Sequence, residues 1–186
     1  MGQRLNIEIE DNGQVVANAY LHWSAYTSSS IVIAKNILKL IPSVQNIADK
    51  KIQAIKLLEG IGSGLTVEEL NEANKLYPSY EFKPAENRNN GLTTITHEGM
   101  NDTRKWEEGR ISIDINNQTV MFSVLNSMSE SEYKNDYEGE PKDTITGNFD
   151  IDEMTYADLE ALELIGEEQS YFKLKDYDNQ IFYFDE

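Results

Sequence analysis

The stretch LNIEIEDNGQVVANAYLHW, residues 5–23, reads as two strands folded about a tight turn. An Asn-Gly pair readily supplies the positive φ angles of such a turn, so the chain is expected to reverse at Asp11-Asn12-Gly13 between strands 3–10 and 14–23. In the second arm Val15, Ala17, Ala19, Leu21 and Trp23 alternate with Val16, Asn18, Tyr20 and His22. The period of two predicts the first set on a core face and the second set half exposed.

Working outward, Thr27-Ser28-Ser29-Ser30 supplies N-caps for a helix carrying Ile31, Ala34, Leu38 and Ile41 at helical spacing and expected to stop at Pro42. A second helix is expected from Ser43, with Val44, Ile47, Ala48, Ile52, Ile55 and Leu58 as its apolar stripe and Lys50 and Lys56 largely outward. Thr66 with Glu69 three residues on reads as a capping box opening a third helix that runs to about Tyr77, before Pro78. The pattern weakens from Ser79 to Gly109, where the Asn-rich segment 86–91 reads as a surface loop. A second hairpin is expected from 110–115 and 119–125 across Asn116-Asn117. Residues 128–153 are acidic and thin in large apolar groups, which predicts a flexible segment with one short strand. A short helix after Thr155 and strands at about 170–175 and 179–184 complete the chain. The expectation is a single α+β domain over 1–186, a mostly antiparallel sheet of five or six strands with three or four helices packed on one face.

Composition bounds the chemistry. No window approaches the roughly 18 continuous apolar residues of a membrane span, and no basic-then-apolar leader opens the chain, so a soluble, cytoplasmic protein with no membrane partner is expected. Asn6 stands where a myristoylation signal wants Ser or Thr. The absence of cysteine excludes disulfides, thiolate zinc sites and cysteine nucleophiles. The net charge of −17 is unevenly spread: residues 1–80 carry 7 basic and 8 acidic groups, whereas 128–186 carry 18 acids against 4 lysines. The acidic half reads either as a solvated face or as a surface that imitates nucleic acid and meets a basic partner.

Against that background, Lys35, Lys39, Lys50, Lys51 and Lys56 face the single acid Asp49 between residues 31 and 56, the one region suited to a phosphate backbone. It leads into Glu59 and Gly60-Ile61-Gly62-Ser63-Gly64. In one reading the lysines hold RNA phosphates and Glu59 serves as general base on a ribose 2′-hydroxyl, with Lys56 or His22 as acid or charge stabiliser. In the plainer reading Gly60 ends a helix and the other glycines shape a linker. The glycine spacing is neither a P-loop nor a dinucleotide fingerprint. Tyr20 and His22 on one strand face suit base stacking or phosphate, or else an ordinary core edge. The two histidines define no metal site, so no cofactor is expected, although a nuclease could recruit Mg²⁺ through Glu59 and other carboxylates.

The opening Gly2-Gln3-Arg4-Leu5-Asn6-Ile7, the segment Tyr20 to Thr27 and the Lys-rich helix ending in Leu58-Glu59-Gly60 are where the chain resembles type II-A anti-CRISPR proteins of streptococcal phages and mobile elements that act on guide RNA. The resemblance implies an inhibitor that engages the type II CRISPR effector nuclease with its guide RNA and leaves that RNA truncated. It implies Glu59 as the residue acting on RNA, Lys50, Lys51, Lys56 and Ser63 as RNA contacts, and the acidic half facing the effector's basic channel. The rival reading is an acidic nucleic-acid mimic that blocks the nuclease by binding alone.

Overall fold

A computed structural model describes residues 3–25, 27–86, 91–125, 127–129, 148–166, 171–177 and 180–185. The first hairpin forms as expected, from β1 (Leu5–Asp11) and β2 (Gln14–Leu21), with Asn12 at φ 53 and Gly13 at φ 75 in the turn. The chain continues through α1 (Thr27–Val44), α2 (Lys50–Gly60), β3 (Gly64–Leu65), α3 (Val67–Leu76), β4 (Leu92–Thr94) and α4 (His97–Arg104). A second hairpin, β5 (Gly109–Asp114) and β6 (Thr119–Leu125), precedes β7 (Ser127–Ser129), β8 (Asn148–Thr155), α5 (Tyr156–Ala161), β9 (Glu163–Gly166), β10 (Tyr171–Tyr177) and β11 (Gln180–Asp185).

The architecture is α+β, but the main sheet is mixed and larger than expected. It has seven strands in the order β3-β4-β2-β1-β5-β6-β8, and a separate antiparallel sheet runs β7-β11-β10-β9. The two hairpins abut through a parallel β1–β5 pair, Leu5 opposite Gly109 and Glu10 opposite Asp114, and β3 also runs parallel to β4. Parallel neighbours require a crossover, here supplied by the helical segments between them. The two-residue β3 and three-residue β4 are too short to show a period, which is why the sequence pattern passes over them. Residues 130–147 of the expected acidic segment lie outside the described residues.

Strand alternation divides the main sheet into unlike faces. Leu5, Ile7, Ile9, Ala17, Ala19, Ile111, Ile113, Val120 and Phe122 are buried and join Ile31, Ala34, Ile37, Ile52, Ile55 and Leu58 of α1 and α2 in one core. The other face carries Asn6, Glu8, Asn18 and Ser112, also buried. There α4 packs, Thr103 donating to Asn18 Oδ1 at 2.9 Å and Arg104 to Glu8. The helices therefore do not all lie on one face, and five stand among the described residues rather than three or four.

Three local expectations are corrected. Helix α1 runs through Pro42 to Val44, because a proline in the last turn forfeits only one bond near an end that is already fraying. Helix α2 starts at Lys50 rather than Ser43: Asp49 caps it, accepting from the amides of Lys51 at 2.9 Å and Ile52 at 3.2 Å. In β2 the register skips Val16, since Ile9 faces Ala17 while Glu10 faces Val15, so Val16 rather than Val15 packs against the core. Trp23 lies past the strand end and is 56% exposed.

Candidate functional site

Helix α2 buries Ile52, Ala54, Ile55, Leu57 and Leu58, which turns its lysines toward the rim. Lys51 has no side-chain partner among the described residues, nor has the exposed Lys39 on α1, while Lys50 reaches Gln53 at 3.5 Å. Lys56 is committed. Its ammonium lies 2.9 Å from Glu59 Oε2, donates to the Glu81 carbonyl and sits 4.8 Å above the Phe82 ring.

Glu59 occupies the last turn of α2, where a carboxylate opposes the helix dipole by roughly 0.3–1 kcal/mol. Two donors offset that: Lys56 on Oε2 and the Lys83 amide on Oε1. The side chain is only 6% exposed. Glu59 and Lys56 together tie the segment 81–83 to the end of α2, a role carried by Phe82 and a backbone amide that stand in the patternless stretch after Ser79. An isolated phenylalanine between charged residues leaves no periodic signal, so the sequence did not point to it.

The glycines that follow have their own structural reasons. Gly62 takes φ +91, a conformation that favours glycine. At Gly64 a Cβ would lie 2.5 Å from the Pro84 carbonyl oxygen and 2.6 Å from Ala85 Cα and N, so backbone meets backbone there. Ser63 is buried, its hydroxyl 2.8 Å from Thr93 Oγ1.

His22 lies elsewhere. Its Nδ1 is 2.9 Å from the Tyr20 hydroxyl and its ring meets Trp23 edge-on at 4.8 Å; no contact joins it to Glu59. The structure thus places Lys56 beside Glu59 and leaves His22 and Ser63 in separate surroundings. Among the described residues no three His, Asp or Glu side chains are grouped to hold a metal ion. The surroundings of Glu59 do not suit Mg²⁺, since its one carboxylate already faces an ammonium. No helix among the described residues is long and apolar enough to cross a membrane.

The polar sheet face concentrates charge. Glu8, its side chain 2% exposed, lies 2.5 Å from Arg104 Nε and 3.8 Å from Arg110 Nε, and Arg110 also pairs with Glu107. At the far end Asp114 joins the two hairpin turns by accepting from the amides of Gly13 at 2.9 Å, Asn116 at 2.9 Å and Asn117 at 2.8 Å. Burial alone would raise this carboxyl, but those donors outweigh it and hold it below the usual range. Its contribution to stability is present above the ordinary Asp value of about 3.9 and is lost as pH falls through the lower folded value.

Beside it, a cleft of about 230 Å³ is lined by Glu10, Ser112, Asp114, Met121 and Glu153 among others. Burial, followed by the charges of Glu8 and Asp114, raises the Glu10 carboxyl despite a bond from Ser112 and the charge of Arg104. The folded state holds that proton more tightly than the unfolded chain, so stability is lost as pH rises from about 4.3 through the folded value. Glu10→Gln should therefore be more stable than the parent in urea at pH 7 and show no advantage at pH 3.5. Equal midpoints at both pH values would contradict this account of Glu10.

Compared with known protein families, with characterised proteins and with solved structures, the chain matches none.

Proposed function

We propose that this chain is an anti-CRISPR inhibitor of a type II CRISPR effector nuclease, acting in the cytoplasm of a bacterial host, that engages the nuclease with its guide RNA and leaves the guide truncated. The observation that carries the reading is the partition of charge: Lys39 and Lys51 on α1 and α2, without side-chain partners among the described residues, in a chain of net −17 whose last third is strongly acidic. The resemblance of the Lys-rich helix and its Leu58-Glu59-Gly60 end to guide-directed anti-CRISPR proteins supports the same reading.

Lys50 and Lys51 hold phosphates, and Glu59 takes the proton of a ribose 2′-hydroxyl as that oxygen attacks the adjacent phosphorus, which closes a 2′,3′-cyclic phosphate while the 5′-oxygen leaves and takes a proton from water. Lys56, 2.9 Å away, is the group best placed to steady the developing charge. In the isolated chain the Glu59 carboxylate is covered and hydrogen-bonded, which favours a cut that depends on the nuclease opening the 81–83 segment.

The test is a denaturing gel of guide RNA incubated with nuclease and inhibitor, each omitted in turn. Shortened RNA should appear only in the complete mixture. Glu59→Gln keeps an acceptor for the Lys83 amide while removing the base, and should slow shortening by about 100-fold or more without loss of nuclease binding. Trimming at the parent rate would remove Glu59 from the mechanism. Intact RNA with DNA cleavage lost would favour the binding-only acidic mimic, supported by the 18 acids of residues 128–186. Intact RNA with full DNA cleavage would end the anti-CRISPR reading.

A further inference from the structure

The two faces of the main sheet are closed by unlike means. On one, Ile7 and Ala17 join the apolar core with α1 and α2. On the other, Asn6, Glu8 and Asn18 are buried beneath α4 and the turn after it, although α4 is eight residues long and buries a single apolar side chain, Met100.

What holds this cover down is polar. Thr103 donates to Asn18 Oδ1 at 2.9 Å, Arg104 Nε lies 2.5 Å from Glu8 Oε1, and Glu107 accepts from Asn6 Nδ2 at 2.7 Å and pairs with Arg110. Water can stand in for each of these contacts, so they favour the closed cover only weakly over a lifted one. Two atoms count against the closed form. Asn6 Oδ1 and Asn18 Nδ2 are buried with no hydrogen-bond partner among the described residues. Both adjoin Glu8, Asn6 two residues before it on β1 and Asn18 directly opposite it on β2. A buried donor or acceptor left unmet forfeits its hydration, which lifting the cover restores.

The cover is anchored at both ends. Before α4, the Glu69 carboxylate accepts from the Ile95 amide and the Thr96 hydroxyl, and a Cβ on Gly99 would stand 2.7 Å from Glu69 Oε1 and 2.9 Å from Thr94 Cβ, so the first turn is closely seated. After α4, the amides of Glu108 and Gly109 donate to the Arg4 carbonyl at 2.8 and 3.0 Å. Lifting therefore concerns the stretch between, which carries Thr103, Arg104 and Glu107.

We propose that α4 with the turn after it is a lid latched by Arg104 on Glu8, and that it lifts from the polar face while the sheet and the apolar core stay folded. Lifting takes the Arg104 guanidinium off Glu8 and uncovers a polar strip, Asn6, Glu8 and Glu10 on β1 with Asn18 beside it, that continues into the cleft of Glu10 and Asp114. Arg110, 3.8 Å from Glu8 on the neighbouring β5, stays with the sheet. The lid stands on its own geometry, whatever the chain engages.

The absence of cysteine makes the test direct. Ala17 and Asn18 are consecutive on β2 and both fully buried, one in the apolar core and the other beneath α4. Single-cysteine variants Ala17→Cys and Asn18→Cys of the full chain are treated with a thiol reagent, each rate referred to that of the same variant unfolded in urea. Asn18→Cys should react at least about 100-fold faster than Ala17→Cys, and its rate should stay flat at low urea where the Ala17→Cys rate climbs. Adding Arg104→Met strands Glu8 under the lid and should speed reaction at position 18 by about 10-fold or more, still without urea dependence. Asn6→Cys against Ile7→Cys on β1 repeats the comparison and decides it should either first variant fail to fold. Equal rates on the two faces, both rising with urea, would overturn the lid, since the polar face would then open only as the whole chain unfolds. An unchanged rate on adding Arg104→Met would overturn Arg104 as its latch.

Discussion

Gly64→Ala should destabilise the fold by about 3 kcal/mol, read as a shift of the urea midpoint at unchanged slope. The added Cβ would come within 2.5 Å of the Pro84 carbonyl oxygen and 2.6 Å of Ala85 backbone atoms, which cannot rotate away as a side-chain tip can. This approach is held by the Ala85 amide on the Leu65 carbonyl at 2.7 Å and by the Leu65 amide on the Lys83 carbonyl at 3.2 Å. Pushing it apart lifts the fully buried Leu65 from the core and draws the Lys83 amide off Glu59. Gly62→Ala is the control: it meets nothing within 4 Å, suffers only from its φ of +91, and should cost about 1 kcal/mol. Equal costs for the two would mean that residues 83–85 yield and that close approach is not the reason for glycine at 64.

The second large effect is expected on the polar face. Arg104→Met should cost about 3 kcal/mol, because it leaves the Glu8 carboxylate, 2% exposed, with only Arg110 at 3.8 Å, and that arginine already serves Glu107. The loss comes from the stranded charge rather than from the ion pair itself. Adding Glu8→Gln to the Arg104→Met variant should therefore recover most of it, a coupling that a double-mutant cycle measures directly. A cost below about 1 kcal/mol for Arg104→Met would put the pair with ordinary surface salt bridges and show that water reaches Glu8.

Much of the fold was legible where chemistry is local. The Asn12-Gly13 turn, the Thr66 cap with its bond from the Glu69 amide at 3.2 Å, and the capping box of Thr155 with Asp158 are each decided by a few neighbouring residues. The carboxylate of Glu69 shows where such reading stops. It does not close the capping box but accepts from the Ile95 amide at 3.1 Å and the Thr96 hydroxyl at 3.0 Å, tying α3 to the start of α4. Likewise the eight-residue α4 carries a single buried apolar side chain, Met100, and so has no apolar stripe to announce it. Its place depends on Asn18 and Glu8, some eighty to a hundred positions away in the chain.

The candidate site divides along the same line. The Lys-rich composition of 31–56 and the placement of Glu59 beside three glycines are properties of the sequence alone, because charge and backbone freedom belong to residue types. Whether each lysine is free, and what surrounds each side chain, only the tertiary structure decided: Lys56 is taken by Glu59 and Glu81, and Ser63 by Thr93, while Lys39 and Lys51 have no side-chain partner among the described residues. It also brought the end of β2 and the start of β5 to either side of Leu5, through a parallel β1–β5 pairing that no local pattern encodes. The turns and caps were determined by short-range hydrogen bonding, and the pairing of distant strands by which buried faces could be closed together.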